Sequence, residues 1–111
     1  MPLFITQGRF TQDAVKGMLA KPEDRAEAVS QLFAKSGGKL LAYYMTFGEY
    51  DFLVVSEGPI EGAAVSTIVT AASGGVTDLK TTLAMTTGEM KNAFVKAGTV
   101  AASFRTAGAK T

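Results

Sequence analysis

The chain has 111 residues and contains no cysteine, no histidine and no tryptophan. Its length fits one small domain. The missing cysteine excludes disulfides, thiolate nucleophiles and cysteine-ligated metal sites, and the missing histidine excludes histidine-ligated haem and histidine-based catalysis. With 11 basic and 10 acidic side chains, the formal net charge is only +1. We therefore expect neither nucleic acid nor an anionic membrane as a partner.

The first residues carry no basic segment followed by a long apolar stretch, so they are not typical of a signal peptide. The longest uncharged stretch, residues 62–77, is rich in glycine, serine and threonine and is too short to cross a bilayer. These features predict a cytoplasmic protein.

In the first half, the mixed apolar and polar residues of 3–10 predict a strand. Thr11 suits the N-cap of a helix that runs towards Ala20. Pro22 and the two acidic residues after it predict the first turn of a second helix, which the glycine pair 37–38 ends.

The second half is predicted to contain a hairpin, a helix, a strand and a final helix. The hairpin strands are predicted at 40–47 and 52–55, and the helix is predicted from 58–59 to 74–75. The strand is predicted at 76–85, and the final helix starts at the capping box formed by Thr86 and Glu89.

This order predicts an α+β, ferredoxin-like βαββαβ fold, with a four-stranded antiparallel sheet, helices on one face and an extra C-terminal helix. We expect one domain over residues 1–97. Residues 98–111 are mostly glycine, alanine, threonine and serine, and predict a flexible or loosely docked tail.

Both alternating sets of positions on the predicted strands carry large apolar side chains. Helices cover only one face of such a sheet, so the other face would leave apolar side chains in water. We expect a second copy of the chain to cover it in a homodimer. Polar residues such as Ser56 and Lys80 would then line a cavity at the interface or lie at its rim.

The run Gly48-Glu49-Tyr50-Asp51, followed by an apolar strand, an acid and Gly58-Pro59, resembles the signature of the GYD family of small bacterial proteins. The likeness covers about residues 2–96, and Gly58 stands where the family usually has alanine. The resemblance implies a dimeric α+β barrel. That superfamily includes cofactor-free monooxygenases, isomerases, haem enzymes and amino-acid-sensing domains, whereas the GYD family itself has no established activity.

Tyr50 and Asp51 are the candidate catalytic residues, with Asp51 as a base or acceptor and Tyr50 as a donor facing a cavity. In the alternative interpretation they are structural. The Asp51 carboxylate then accepts backbone N–H groups, Tyr50 packs, and Gly48 supplies a positive φ.

The candidate ligand-binding residues are Arg9, Arg25, Tyr43, Tyr44 and Thr46. A guanidinium suits a carboxylate, although Arg25 is also expected to form an exposed ion pair. The adjacent tyrosines must point to opposite faces of their strand. No residue spacing predicts a metal or a cofactor.

Two functions fit these residues. The first is a homodimeric domain that binds a small organic molecule or a protein partner at or near the dimer cavity. The alternative is a cofactor-independent enzyme, similar to monooxygenases or isomerases, that uses Asp51 and Tyr50. The missing histidine favours the first.

Overall fold

The computed structural model describes residues 1–108, and within them the predicted order of strands and helices is confirmed. The elements are β1 (Leu3–Phe10), α1 (Gln12–Ala20), α2 (Ala26–Lys35), β2 (Lys39–Met45), β3 (Phe52–Glu57), α3 (Ile60–Ala72), β4 (Val76–Ala84) and α4 (Thr87–Ala101). No helix in this part of the chain is long and apolar enough to span a membrane.

The four strands form one antiparallel sheet in the order β2-β3-β1-β4. This is the predicted ferredoxin-like arrangement, with β1 and β3 at the centre. Two irregularities interrupt its register. One lies in β1 between Gln7 and Arg9, opposite β4, and the other lies in β2 between Leu40 and Ala42. The first of them displaces the end of β1 beside the turn between β2 and β3.

The alternation of β3 separates the two faces of the sheet. Phe52, Val54 and Ser56 are buried beneath the helices, with exposed fractions of 5%, 5% and 3%. From the sequence alone, Ser56 is predicted to lie on the opposite face, at the interface between two copies. That prediction is wrong, because Ser56 has the same parity as Phe52 and Val54 along the strand.

The opposite side of the sheet, called the open face below, has no covering helix among the described residues. Leu53 and Val55 of β3 lie on it opposite Tyr44 and Ala42 of β2, and Val55 is also paired with Ile5 of β1. Four of these five side chains are apolar and partly exposed, and Tyr44 is 63% exposed. The open face is therefore largely apolar.

Side chains fix the starts of three helices. The Thr11 hydroxyl accepts a hydrogen bond from the N–H of Ala14 at 3.2 Å, as predicted, and Thr86 forms the predicted capping box. The second helix starts later than predicted, at Ala26 rather than Pro22. The preceding loop is joined to the start of α2 by Asp24, whose Oδ1 accepts a hydrogen bond from the N–H of Ala26 at 2.9 Å.

Helix α4 lies apart from the sheet, and every one of its residues is exposed. It runs through Gly98 and ends at Ala101, so the tail predicted from residue 98 begins with a helical turn. Alanine favours a helix there. Residues 102–108 form neither helix nor strand, and the rest of the predicted tail, 109–111, lies outside the described residues.

Candidate functional site

A cavity of about 500 Å³ lies between the sheet and helices α1, α2 and α3. Its floor is formed by the buried side chains of Phe52 and Val54 from β3 and by Ser66 from α3. Its sides are formed by apolar residues of all three helices, including Met18, Val29 and Val69. The cavity is therefore on the helix side of the sheet, whereas the cavity predicted at a dimer interface on the open face stays a prediction.

Three aromatic side chains shape the floor. The Phe10 and Phe52 ring centroids are 5.2 Å apart, and Tyr43 meets Phe52 edge to face with a centroid distance of 6.5 Å. All three residues line the cavity. Such offset and edge-to-face contacts hold aromatic rings in defined orientations, so the floor is a rigid apolar surface.

Two of the three hydroxyl groups that α3 contributes to the cavity are engaged as donors. Ser66 donates to the carbonyl oxygen of Ala63 at 3.0 Å, and Thr70 donates to that of Ser66 at 2.7 Å. A hydroxyl that donates elsewhere still offers its lone pairs. The α3 side of the cavity therefore presents hydrogen-bond acceptors to a ligand.

The connection between α1 and α2, residues 21–25, forms a charged rim. Lys21, Glu23 and Arg25 line the cavity there, and all three are exposed. Nη1 of Arg25 donates to Oε1 of Glu23 at 2.8 Å. The ion pair expected for Arg25 is therefore present at the rim of the cavity.

Tyr43 lies at the same end of the cavity. Burial raises the pKa of its phenol above the ordinary value of 10.0, while the positive charge of Arg25 opposes this rise and the negative charge of Asp24 adds to it. The phenol is therefore a neutral hydrogen-bond donor at neutral pH. Both charges belong to the 21–25 connection, and Tyr43 lines the cavity together with Arg25 of that connection.

Asp51 and Thr46 stabilise the turn between β2 and β3. Oδ2 of Asp51 accepts a hydrogen bond from the backbone N–H of Phe10 at 2.9 Å, and the backbone N–H of Asp51 donates to the carbonyl of Gly8 at 2.8 Å. The hydroxyl of Thr46 donates to the carbonyl of Tyr50 at 2.7 Å. These bonds fasten the turn to the irregular end of β1.

Arg9 completes this turn network. Its Nε donates to the carbonyl of Glu49 at 2.7 Å, its Nη1 lies 3.8 Å from Oδ2 of Asp78, and its guanidinium carbon lies 5.8 Å from the centre of the Tyr50 ring. Gly48 does not have the positive φ that the structural interpretation assigned to it. The backbone of the turn is stabilised by side-chain hydrogen bonds instead.

The structure thus distributes the predicted site residues over three places. Tyr43 and Arg25 line the cavity. A second group lies at the turn and does not line the cavity: Arg9, Thr46, Tyr50 and Asp51. Tyr44 lies on the open face, so the opposite orientations predicted for the two adjacent tyrosines are confirmed.

Most of the cavity lining was not predicted, including the polar residues Lys21 and Ser66. Ser66 and Thr70 recur four residues apart on a mostly apolar helix, and this spacing on one helix face was a readable signal. Lys21 carried no such signal. Within residues 1–108, no group of three acidic side chains is placed to hold a metal ion.

Solved structures share the fold at low sequence identity. The transcriptional regulator NMB0573 of Neisseria meningitidis, solved as a complex with L-Met, is 14% identical with a TM-score of 0.50, over 78% of this chain and 51% of that chain. The present chain thus spans about half of that regulator. TTHA0845 of Thermus thermophilus is 19% identical with a TM-score of 0.49, over 78% of this chain and 95% of that chain.

A search of curated proteins finds no match to the chain. The model of the GYD domain family, in contrast, matches residues 4–94. That stretch contains nearly the whole sheet, helices α1–α3 and the turn at residues 46–51. This protein therefore belongs to the GYD domain family.

Proposed function

We propose that the protein is a homodimeric binding domain that takes a small, mostly apolar organic molecule into the cavity between the sheet and helices α1–α3. The observation that carries the proposal is the cavity itself. Its volume of about 500 Å³ lies within the range of small-molecule sites, and its lining combines an apolar floor with few polar groups.

The residues of the cavity favour binding over catalysis. The ionisable side chains at its rim, Lys21, Glu23 and Arg25, are exposed to solvent, whereas an acid or base catalyst usually lies in a protected site that shifts its pKa. The hydroxyls of Ser66 and Thr70 donate to carbonyl groups of their own helix. They are therefore suited to orienting a ligand.

The catalytic alternative relies on Tyr50 and Asp51, which lie at the turn. The hydrogen bond that the Asp51 side chain accepts there comes from a backbone N–H group. This contact favours a structural role for the carboxylate. A cofactor-independent enzyme at this turn remains a prediction from the sequence.

The likeness to NMB0573 is compatible with ligand binding, because that regulator was solved with an amino acid bound. At 14% identity this likeness concerns the fold. The ligand-binding proposal therefore depends on the cavity of this chain.

The open face supports the homodimer. Ile5, Leu53 and Val55 form an apolar strip across the two central strands, beside the exposed Tyr44 ring. Burial of apolar surface stabilises an assembly by about 25 cal/mol per Å². A second copy related by a twofold axis would present the same apolar strip, so that each copy covers the strip of the other.

Native mass spectrometry of the purified protein tests ligand binding, with a variant that fills the cavity. Gly17 lines the cavity, and a Cβ at this position would meet open space beyond its own helix. We expect a retained or added small ligand on the wild type and a reduced amount on Gly17→Leu. The matched control is Gly98→Leu, an equally open glycine on α4. Equal ligand occupancy in all three proteins would contradict the proposal.

Size-exclusion chromatography with light scattering tests the homodimer. We expect twice the chain mass for the wild type and a shift towards monomer for Tyr44→Lys, which places a charge on the open face. Leu19→Lys changes an 80% exposed side chain of α1 and serves as the control that should remain dimeric. A monomeric wild type at micromolar concentration would overturn this part of the proposal.

A further inference from the structure

Building on the proposed function, we infer that the ligand is a small amphipathic carboxylate. Its apolar body lies on the aromatic floor of the cavity, and its carboxylate lies at the rim between Lys21 and Arg25. Four observations carry this inference: the charge of the rim, the free donors of Arg25, the arrangement of donors and acceptors, and the apolar depth of the cavity.

Among the rim residues that line the cavity, basic side chains outnumber acidic ones. Two basic side chains, Lys21 and Arg25, and one acidic side chain, Glu23, line the cavity. The acidic neighbour Asp24 keeps its negative charge but does not line the cavity, and its carboxylate accepts a hydrogen bond from the N–H of Ala26 at the start of α2. In residues 1–108 the ion pairs are Arg25–Glu23 and Arg9–Asp78, and Lys21 takes part in neither.

Arg25 can bind an anion without giving up its acidic partner. Its contact with Glu23 uses Nη1. A guanidinium carries five N–H donors in a planar fork, so most of them remain free for a carboxylate in two-point contact. The side chain is about half exposed, with 43% of its surface accessible, so a ligand can reach it from solvent.

The charged donors of the cavity and the hydroxyl groups of α3 belong to different parts of its lining. The donors lie at the rim end, where the charged groups of Lys21 and Arg25 are joined by the Tyr43 phenol, which makes no hydrogen bond within residues 1–108. The α3 side presents acceptor lone pairs from Ser66 and Thr70. A carboxylate accepts hydrogen bonds only, so it fits the charged donors of the rim better than the engaged hydroxyls of Ser66 and Thr70.

The depth of the cavity excludes a charged group. Phe52 and Val54 form the floor and are each only 5% exposed. An ion placed there would lose its hydration without a partner of opposite charge. The ligand must therefore carry its charge at one end, towards solvent, with an apolar body beyond it.

Isothermal titration with three probes of one chain length tests this inference: octanoate, 1-octanol and octylammonium. We expect octanoate to bind most tightly and octylammonium most weakly, because the rim attracts the first and repels the second. Arg25→Gln should weaken octanoate binding about tenfold, the loss of roughly one charge-assisted hydrogen bond, and leave 1-octanol unchanged. Arg25→Lys should restore part of the affinity.

Arg105→Gln is the matched control, since it removes the same charge at an exposed position outside the cavity. Equal affinity for octanoate and 1-octanol, unaffected by Arg25→Gln, would overturn the carboxylate inference and leave the binding function intact. If none of the three probes binds and Gly17→Leu changes no ligand occupancy, the binding function itself fails. A comparison of octanoate with 2-aminooctanoate then separates a simple acid from an amino acid, both of which carry the inferred carboxylate.

Discussion

The side chain of Asp51 is hydrogen-bonded to the backbone of Phe10, with 2.9 Å between Oδ2 and the amide nitrogen. This bond joins the turn between β2 and β3 to the end of β1. The Phe10 ring in turn contacts Phe52, and both rings line the cavity. The Gly-Glu-Tyr-Asp run therefore supports the aromatic floor of the cavity from outside the cavity.

Removal of the Asp51 carboxylate should destabilise the domain. We expect Asp51→Ala to lower the free energy of unfolding by about 2 kcal/mol, because it leaves the partly buried N–H of Phe10 without its charged acceptor. Asp51→Asn keeps an acceptor oxygen and should cost less than half of that. Urea denaturation measures both changes. Glu49→Ala, at an exposed position in the same turn, should stay within about 0.5 kcal/mol of the wild type, and an equally small effect of Asp51→Ala would contradict the structural role.

Two helical glycines should respond in opposite directions to alanine. Gly62 is buried in α3, and a Cβ there would collide with the carbonyl oxygen of Ser36. We expect Gly62→Ala to lower the free energy of unfolding by about 1–3 kcal/mol, as overpacking does. Gly17 of α1 has open space, so Gly17→Ala should raise stability by up to about 1 kcal/mol through helix propensity. Thermal unfolding of the two variants compares them, and a stabilising Gly62→Ala would show that α2 and α3 do not approach so closely.

The Tyr43 phenol should make stability depend on alkaline pH. Its pKa in the folded protein is raised above 10.0, chiefly by burial, so the unfolded chain releases this proton at a lower pH than the folded one. The contribution of the neutral phenol is then complete below pH 10 and is lost as the pH rises through the raised pKa. Tyr43→Phe should flatten this part of the stability profile.

An ultraviolet difference titration of wild type against Tyr43→Phe checks the same pKa directly. Because Arg25 opposes the rise and Asp24 adds to it, Arg25→Gln should raise the pKa of Tyr43 further and Asp24→Asn should lower it. Identical titration curves for both charge variants would mean that the phenol lies out of reach of the 21–25 connection.

Acid should loosen the first turn of α4. The hydrogen bond that the backbone N–H of Thr86 donates to Glu89 lowers the pKa of that carboxyl below its ordinary value of 4.5, and the Thr86 hydroxyl adds to this. The stabilisation is therefore present above pH 4.5 and is lost as the pH falls through the lowered pKa. Amide chemical shifts of residues 87–90 measure the change. Glu89→Gln keeps the hydrogen bond but has no charge to lose, so its shifts should not follow the same titration.

The fold was predictable from the sequence because its signals are local. Thr11 and Thr86 mark helix starts, the glycine pairs mark helix ends, and the strands alternate apolar side chains. The late start of α2 was not predictable from Pro22, since the side-chain hydrogen bond to its first residue, Ala26, comes from Asp24. Local sequence signals do not show which of several adjacent residues begins the helix.

The candidate site was predicted only in part, for a physical reason. Arg9 and Arg25 are alike in the sequence, and only the three-dimensional arrangement shows that one lies at the turn and the other at the cavity rim. Strand parity separated Tyr43 from Tyr44 correctly but did not fix which face the helices cover. The position of the cavity depends on how three helices lie over the sheet, a long-range property that residue spacing does not encode.

The exposure of α4 has a consequence for the size of the molecule in solution. The radius of gyration is 18.7 Å and the longest dimension is 66 Å, whereas a compact chain of this length has a radius of gyration of roughly 13 Å. An isolated chain would therefore scatter X-rays as an elongated particle. If small-angle scattering instead gives a rounded profile per chain, α4 and its apolar side chains Met90 and Phe94 have found a surface to pack on.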